Sequence, residues 1–315
     1  MELRHLDALI AVAEEGTFTA AADVLNTAQS NVSAQILQLE ADLGAQLFSR
    51  GRSGAALTES GLVVLERARR IRRELEAMRE DVASLRGLQV GEASIGVVGT
   101  ASRWLAPALV DALHKVAPGV RFHITEAPSE RLGELVLSHA LAQAVVTEPV
   151  LDNRLQSEPL FDEELVGLAP LGLEIGAEPV SPERLAELRL VLPPPGNPLR
   201  QEVDQAVRAR GLTLMTPVEV DAVRLIVDIV ESGNGVSVLP ATAVPTEARH
   251  LRVFRIEGMP RRRLALISAR DARLSLADQA VRNALLALLA DRRPLDNSDR
   301  SVEASILGGE EGASP

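Results

Sequence analysis

The 315-residue sequence has no cysteine and no tyrosine, Lys115 is its only lysine, and aromatic residues make up 2% of it. Without cysteine there is no disulfide, no thiolate metal site and no thiol nucleophile. No apolar run is long enough to cross a bilayer. The amphipathic, acid-bearing N-terminus lacks the form of a signal peptide. Together these point to a cytoplasmic protein with no membrane partner. Enzyme signatures are missing too: there is no Gly-x-Ser-x-Gly elbow, no P-loop and no His-Glu-x-x-His. The five histidines, His5, His114, His123, His139 and His250, are scattered without metal-ligand spacing. The expectation is a non-enzyme with no catalytic residue, no metal and no cofactor. Positive charge is also scarce. The formal net charge is −11, and residues 1–60 hold Arg4, Arg50 and Arg52 against eight acids.

What is present suits two or three globular domains: 46% hydrophobic residues over a length that buries several cores. The most informative stretch is Phe18–Leu37, FTAAADVLNTAQSNVSAQIL. Thr19 is a candidate N-cap for a short Ala-rich helix to about Leu25, and Asn26, Thr27 and Ala28 make a break. A second helix is predicted from about Gln29 to Leu43, with Val32, Ile36, Leu39 and Leu43 on one face. Its other face carries Ser30, Ser33, Ala34, Leu37 and Gln38. Short helix, tight turn and helix with a small polar outer face make a helix-turn-helix pattern, whose second helix enters the major groove of DNA. An earlier helix with Leu3, Leu6, Leu9, Ile10 and Ala13 on one face, ended by Gly16, is placed beneath it. Gly44 is a candidate C-cap and Leu47 and Phe48 are core anchors. Ser49–Thr58 reads as a hairpin wing carrying Arg50 and Arg52.

Thr58 is placed to cap a long helix to about Leu85. Along it Val64, Ala68, Ile71, Leu75, Met78, Val82 and Leu85 alternate in steps of four and three. A heptad seam of about three heptads cannot be buried by one helix and predicts a dimer. Beyond a linker at Leu88–Gly91 strands alternate with helices: strands at Ala93–Val98, Val120–Thr125 and Gln143–Thr147, helices at Ser102–Val116 and Ser129–His139. That order predicts a mainly parallel sheet flanked by helices. A second unit is predicted from strands at Leu165–Leu168, Leu190–Leu192, Val218–Val220 and Gly235–Leu239 with helices at Pro198–Arg210 and Ala222–Ser232. A strand at Arg263–Ile267 and a helix at Ser275–Ala290 return to the first. The polar, acidic stretch from Pro294 is expected to be a disordered tail.

These features resemble the LysR-type transcriptional regulators over about Met1–Ala290. The resemblance is densest at Phe18–Gly61, where Phe18, Thr19, Ala21, Ala22, Leu25, Gln29, Ser33, Gln35, Ile36, Leu39, Glu40, Leu43, Gly44, Leu47, Phe48, Arg50, Leu57, Thr58 and Gly61 stand at the family's spacing. GVVGTASRWLAP (Gly96–Pro107) and VESGNGVSVLP (Val230–Pro240) resemble segments of the family's effector domain. The resemblance implies a winged helix-turn-helix head over residues 1–58, a dimerisation helix and hinge over 59–90, and a two-lobed, periplasmic-binding-protein-like α/β effector domain over 91–293. Lobe I would be 91–147 plus 263–293 and lobe II 148–262. It further implies a homodimer or homotetramer on promoter DNA, a small-molecule effector between the lobes and, if the protein activates, contact with RNA polymerase. Two positions depart from the pattern: Ala34 stands where the family often has Arg, and Gln143 where it often has Asp.

Base recognition needs donors and acceptors in the major groove. Gln29 suits a bidentate bond to adenine, and Ser30, Asn31 and Ser33 suit base edges or phosphates, although Gln29, Ser30 and Asn31 also suit helix capping. Arg50 and Arg52 on the wing suit phosphate or minor-groove contact. In the effector domain Thr100, Ser102 and Thr147 sit at carboxyl ends of predicted strands, where open α/β sheets bind ligands. Gly196, Asn197 and Arg200 introduce a helix of the other lobe. Free helix N–H groups and Arg200 suit a small organic anion. An alternative role is a ligand-binding module whose acidic, Arg-poor head has turned to protein contacts.

Overall fold

The computed structural model of the protein describes residues 1–51, 54–84, 90–245 and 250–290. Three helices open the chain: α1 (Leu3–Glu15), α2 (Phe18–Val24) and α3 (Gln29–Leu43). Leu9 and Ile10 of α1, Ala21 and Ala22 of α2, and Val32, Ile36 and Leu39 of α3 close one core. Leu3 and Leu43, expected on the apolar faces, are exposed, because they sit in the outermost turns and overhang that core. Thr17, not Thr19, caps α2; its Oγ1 accepts from Ala20 N at 3.1 Å. Gly16 ends α1 with φ 73°, which leaves Thr17 extended in the capping position and Thr19 inside the helix.

The hairpin pairs β1 (Phe48–Gly51) with β2 (Gly54–Leu57) in antiparallel register, Arg50 opposite Ala55. Three contacts hold it on the helices. The Phe18 ring meets the Phe48 ring edge-on at 5.7 Å. Glu40 Oε1 accepts from Leu47 N at 2.7 Å and Phe48 N at 3.3 Å. Thr58 Oγ1 accepts from Gly61 N at 3.0 Å and donates to Gln46 O at 2.7 Å, capping α4 (Glu59–Ser84) against the wing. A Cβ on Gly61 would lie 2.1 Å from Leu47 O, so α4 approaches the wing this closely only with glycine there.

The predicted seam of α4 divides. Ala68 is buried and Val64 partly buried in the head's own core, together with Leu65, so these two do not face a partner. Ile71, Met78 and Val82 are exposed, Leu75 is half-buried, and Leu85 lies outside the described residues. Leu62 and Val63, not expected in the seam, are exposed above them. The heptad steps run straight through a boundary where the helix passes from packing on its own head to facing solvent. Of the expected linker at Leu88–Gly91, the first two residues lie outside the described ones, and Val90 and Gly91 already belong to the next strand.

The rest of the chain contains β3 (Val90–Val97), α5 (Gly99–Val116), β4 (Gly119–Glu126), α6 (Ser129–Leu137), β5 (Gln143–Thr147), β6 (Leu155–Pro170), α7 (Pro182–Glu187), β7 (Val191–Leu192), α8 (Pro198–Arg208), β8 (Val218–Glu219), α9 (Val223–Glu231), β9 (Ser237–Pro240), a 3-10 turn at Ala241–Ala243, β10 (Leu251–Arg255), β11 (Arg261–Ala269) and α10 (Leu276–Ala290). The main sheet runs β10-β6-β11-β5-β3-β4, with β9 also on β6. It is mixed, not mainly parallel: β3 is parallel to β4 and β5, but β11 is antiparallel to both β5 and β6. β6 is also far longer than its expected Leu165–Leu168 core. Its polar first half is paired with β11 from Leu155 to Glu164, with one bulge at Leu160, and that pairing replaces an apolar pattern as the reason it is a strand.

Two cores result. Ile95, Leu105, Val145 and Leu285 belong to one, and Leu168, Val203, Val227 and Leu239 to the other. β6 serves both, with Leu155 in the first and Leu165–Ala169 in the second. The expected tail, residues 294–315, lies outside the described residues.

Candidate DNA interface and effector cleft

The first turn of α3 presents its polar side chains outward. Ala28 occupies the N-cap position and supplies no side-chain cap. Gln29 and Ser30 are exposed and have no hydrogen-bond partner among the described residues, so the capping role weighed for them is not used. Asn31 Nδ2 donates to Thr27 Oγ1 at 3.0 Å, which fixes that side chain across the turn. Ser33, one turn after Gln29, is half-buried, and Ala34 and Leu37 continue the exposed strip.

Acidic residues do not crowd this strip. The first turn of α3 carries none. Glu40 is committed to the Leu47 and Phe48 N–H groups, and Asp42 pairs with the Met1 ammonium at 2.5 Å at the far end of the helix. That N-terminal amine and the Gln38 amide hold the Asp42 carboxyl below the usual range. The acids of α3 therefore lie away from its first turn, where free helix N–H groups favour a phosphate. The wing docks beside it through Ala55 N to Gly16 O at 3.0 Å. Arg50 lies on β1, and Arg52 lies outside the described residues.

In the main sheet Val97 stands opposite Val145 in the parallel β3–β5 pair. That register brings the carboxyl ends of both strands side by side, with Thr100 just beyond one and Thr147 ending the other. α5 starts at Gly99, three residues before the expected Ser102. Ser102 is consequently inside the helix, buried, and its Oγ donates to Gly99 O at 3.1 Å, so it is not available to a ligand. Thr100 is buried in the first turn, and its Oγ1 has no hydrogen-bond partner among the described residues.

Thr147 Oγ1 accepts from Arg262 Nη2, and Arg262 leads into a buried polar cluster. Arg262 on β11 stands opposite Glu163 on β6, with Nε 3.1 Å from Glu163 Oε1. Its Nη1 lies 3.8 Å from Glu202 Oε2 on α8. Thr242, in the 3-10 turn after β9, donates to Glu163 Oε2. The Arg262 and Glu163 side chains are 5% and 2% exposed. Despite the contact, Arg262 Nε and Nη1, Glu163 Oε1 and Glu202 Oε2 all lack a hydrogen bond among the described residues. Burial pushes the Glu163 carboxyl up to about 7, against the opposing pull of Arg262 and the Thr242 bond and with help from Glu202. Burial raises Glu202 as well, opposed by Arg262. Elements from both cores meet here, and one guanidinium faces two carboxylates.

A profile described as the LysR substrate binding domain matches residues 86–290, and one described as the bacterial regulatory helix-turn-helix protein, lysR family, matches residues 3–62. The chain belongs to the LysR family. It is a DNA-binding transcriptional regulator with an effector-binding domain. A RuBisCO operon transcriptional regulator of Allochromatium vinosum is 31% identical over 290 residues, 91% of this chain and 96% of that one. A full-length OxyR variant from Pseudomonas aeruginosa shares the fold with a TM-score of 0.73 at 24% identity, covering 93% of this chain and 99% of that one. Full-length CbnR in complex with its target DNA aligns with a TM-score of 0.65 at 23% identity, covering 91% and 100%.

In this LysR-family chain the expected lobe II residues are not in the buried cluster. Asn197 Oδ1 accepts from Leu199 N at 3.0 Å and so caps α8. Arg200 is held by Asp204 at 2.9 Å, Pro193 O at 3.0 Å and Glu219 at 3.4 Å. Gly196 and Arg200 line a separate groove with Gln201, Asp204 and Arg208. α8 reaches the cluster through Glu202 instead. Arg103, in the first turns of α5, is exposed, and Arg224 on α9 pairs with Glu126 at 3.5 Å. Gln143 donates to Asp278 O at 3.0 Å from the opposite end of β5, so its departure from the family pattern is a matter of packing.

Arg262, Glu163, Glu202 and Thr242 were missed. A signal existed for two of them. Arg262 shares a strand face with Leu264, and Glu163 with Leu165, so each is a charge at an inward position of an alternating strand.

Proposed function

We propose that α3 reads operator bases through Gln29, Ser30, Asn31 and Ser33 while Arg50 and Arg52 on the wing hold the phosphate backbone. A small organic anion in the cleft at Thr100, Thr147 and Arg262 modulates that binding. The observation that carries the reading is the unengaged polar face at the start of α3: Gln29 and Ser30 are exposed and hold nothing among the described residues. The exposed apolar stripe of α4, Ile71, Met78 and Val82, supports a homodimer built on the lower half of the helix. RNA polymerase is a further partner if the protein activates. In this reading the site holds the effector and does not convert it. With no cysteine, the signal is not a reaction at a thiol of this chain.

The test is a titration of the full-length protein against a duplex from its own upstream region at two salt concentrations, with unrelated DNA as competitor. The expected result is selective binding whose affinity falls with salt, as phosphate contacts require. Absence of selective binding to that duplex and to any genomic fragment recovered by selection would replace this reading with the protein-contact role.

A further inference from the structure

We infer that an effector anion enters by exchange: its carboxylate takes the Arg262 guanidinium from Glu163, and Glu163 takes up one proton from solvent as it is released. This rests on the anion reading of the cleft just given. The step balances in charge and atoms. A carboxylate and a proton join a cluster holding Arg262 as a cation and Glu163 as an anion. The product holds the Arg262–ligand ion pair and a neutral Glu163 carboxylic acid.

Three features of the cluster lead there. Among the described residues Arg262, on β11, is the one cation facing Glu163, and Glu202 faces both from α8. Asp162 and Glu164, the strand neighbours of Glu163, pair with Arg263 and Arg261 on the other face. With both carboxylates ionised the cluster already carries an excess negative charge, and a second buried one is unfavourable unless a proton comes with it. Arg262 Nε and Nη1 are buried and not hydrogen-bonded, so the donors that a carboxylate would engage are available. Thr242 keeps a hydroxyl against Glu163 Oε2, and a hydroxyl serves a protonated carboxyl as acceptor as readily as it serves a carboxylate as donor. Burial raises the Glu163 carboxyl into the range where such a proton is drawn from solution near neutral pH.

The sign follows from the exchange. Below the free-protein value of Glu163 the proton is already present and binding takes up none. Above it each unit of pH weakens carboxylate binding by up to about tenfold.

The test uses the full-length protein with acetate and succinate as probes and acetamide as the uncharged control. Calorimetry at pH 6 and pH 8, in buffers of different ionisation enthalpy, counts protons taken up. The expected result is carboxylate binding with close to one proton taken up at pH 8 and little at pH 6. Glu163→Gln, which mimics the protonated side chain, should bind succinate with the same affinity at both pH values and with no uptake. Carboxylate binding to the wild type without proton uptake at pH 8 would overturn the exchange and leave the anion reading standing. No binding of either carboxylate at either pH, to wild type or variant, would overturn the anion reading and the exchange with it, whatever the DNA titration shows. The wild-type proton count needs no variant, so the test does not depend on how Glu163→Gln folds.

Discussion

The start of α3 and the buried cluster around Arg262 handle polar side chains in opposite ways. On α3, Gln29 and Ser30 stand in solvent with nothing among the described residues to hold. In the cleft, Arg262, Glu163 and Thr242 are buried and pressed against one another, yet several of their polar atoms are badly aligned. A surface of unengaged groups binds without first breaking anything. A buried, crowded set binds only by rearranging, because a ligand must displace Glu163 from Arg262. The difference suits a reader at one end of the molecule and a responder at the other.

The contrast breaks most visibly at Arg262. Arg262→Met removes the cation between Glu163 and Glu202 and leaves the buried Glu163 carboxylate without compensation. The expected loss is about 3–5 kcal/mol of stability at pH 8 in urea unfolding. A loss of under about 1 kcal/mol would mean that the cluster is hydrated and loosely held.

Glu163 gives the next effect, and its sign is set by its raised value of about 7 against 4.5. Between those values the folded state binds more protons than the unfolded chain, so the contribution of Glu163 to stability falls as pH rises from about 4.5 to 7. Glu163→Gln removes that dependence. The variant should gain on the wild type over this window, by up to about 3 kcal/mol at pH 8. Melting curves at pH 4.5 and pH 8 read the difference; a gap between the two proteins that does not widen with pH would show that Glu163 is not a buried acid.

The two regions also differ in how far the sequence reveals them. The head is built from local spacing. Val32, Ile36 and Leu39 define the face of α3, Gly44 ends it with φ 66°, and Thr58 caps α4, all within a turn or two of what each controls. The error at Thr19 is a shift of two residues. The cleft is built from register between distant strands. That Thr100 and Thr147 lie side by side at strand ends was legible locally, whereas Glu163 and Arg262 meet only through the β6–β11 pairing across almost a hundred residues. The first half of β6 has no apolar pattern that marks it as a strand. Asn197 and Arg200 show a related effect: helix-start residues satisfy that same helix as readily as a ligand, and here they do. The seam of α4 misled because periodicity records which face is apolar and not what covers it.

The claim most open to direct test is that Gln29, at the start of α3, serves DNA and not the fold. Gln29→Ala should leave the melting temperature unchanged, since that side chain has no hydrogen-bond partner among the described residues. The same preparation should bind its operator duplex more weakly by about 1–3 kcal/mol, with the salt slope preserved. A fall in melting temperature with unchanged operator affinity would contradict the account, because Gln29 would then belong to the fold and not to the reading of DNA.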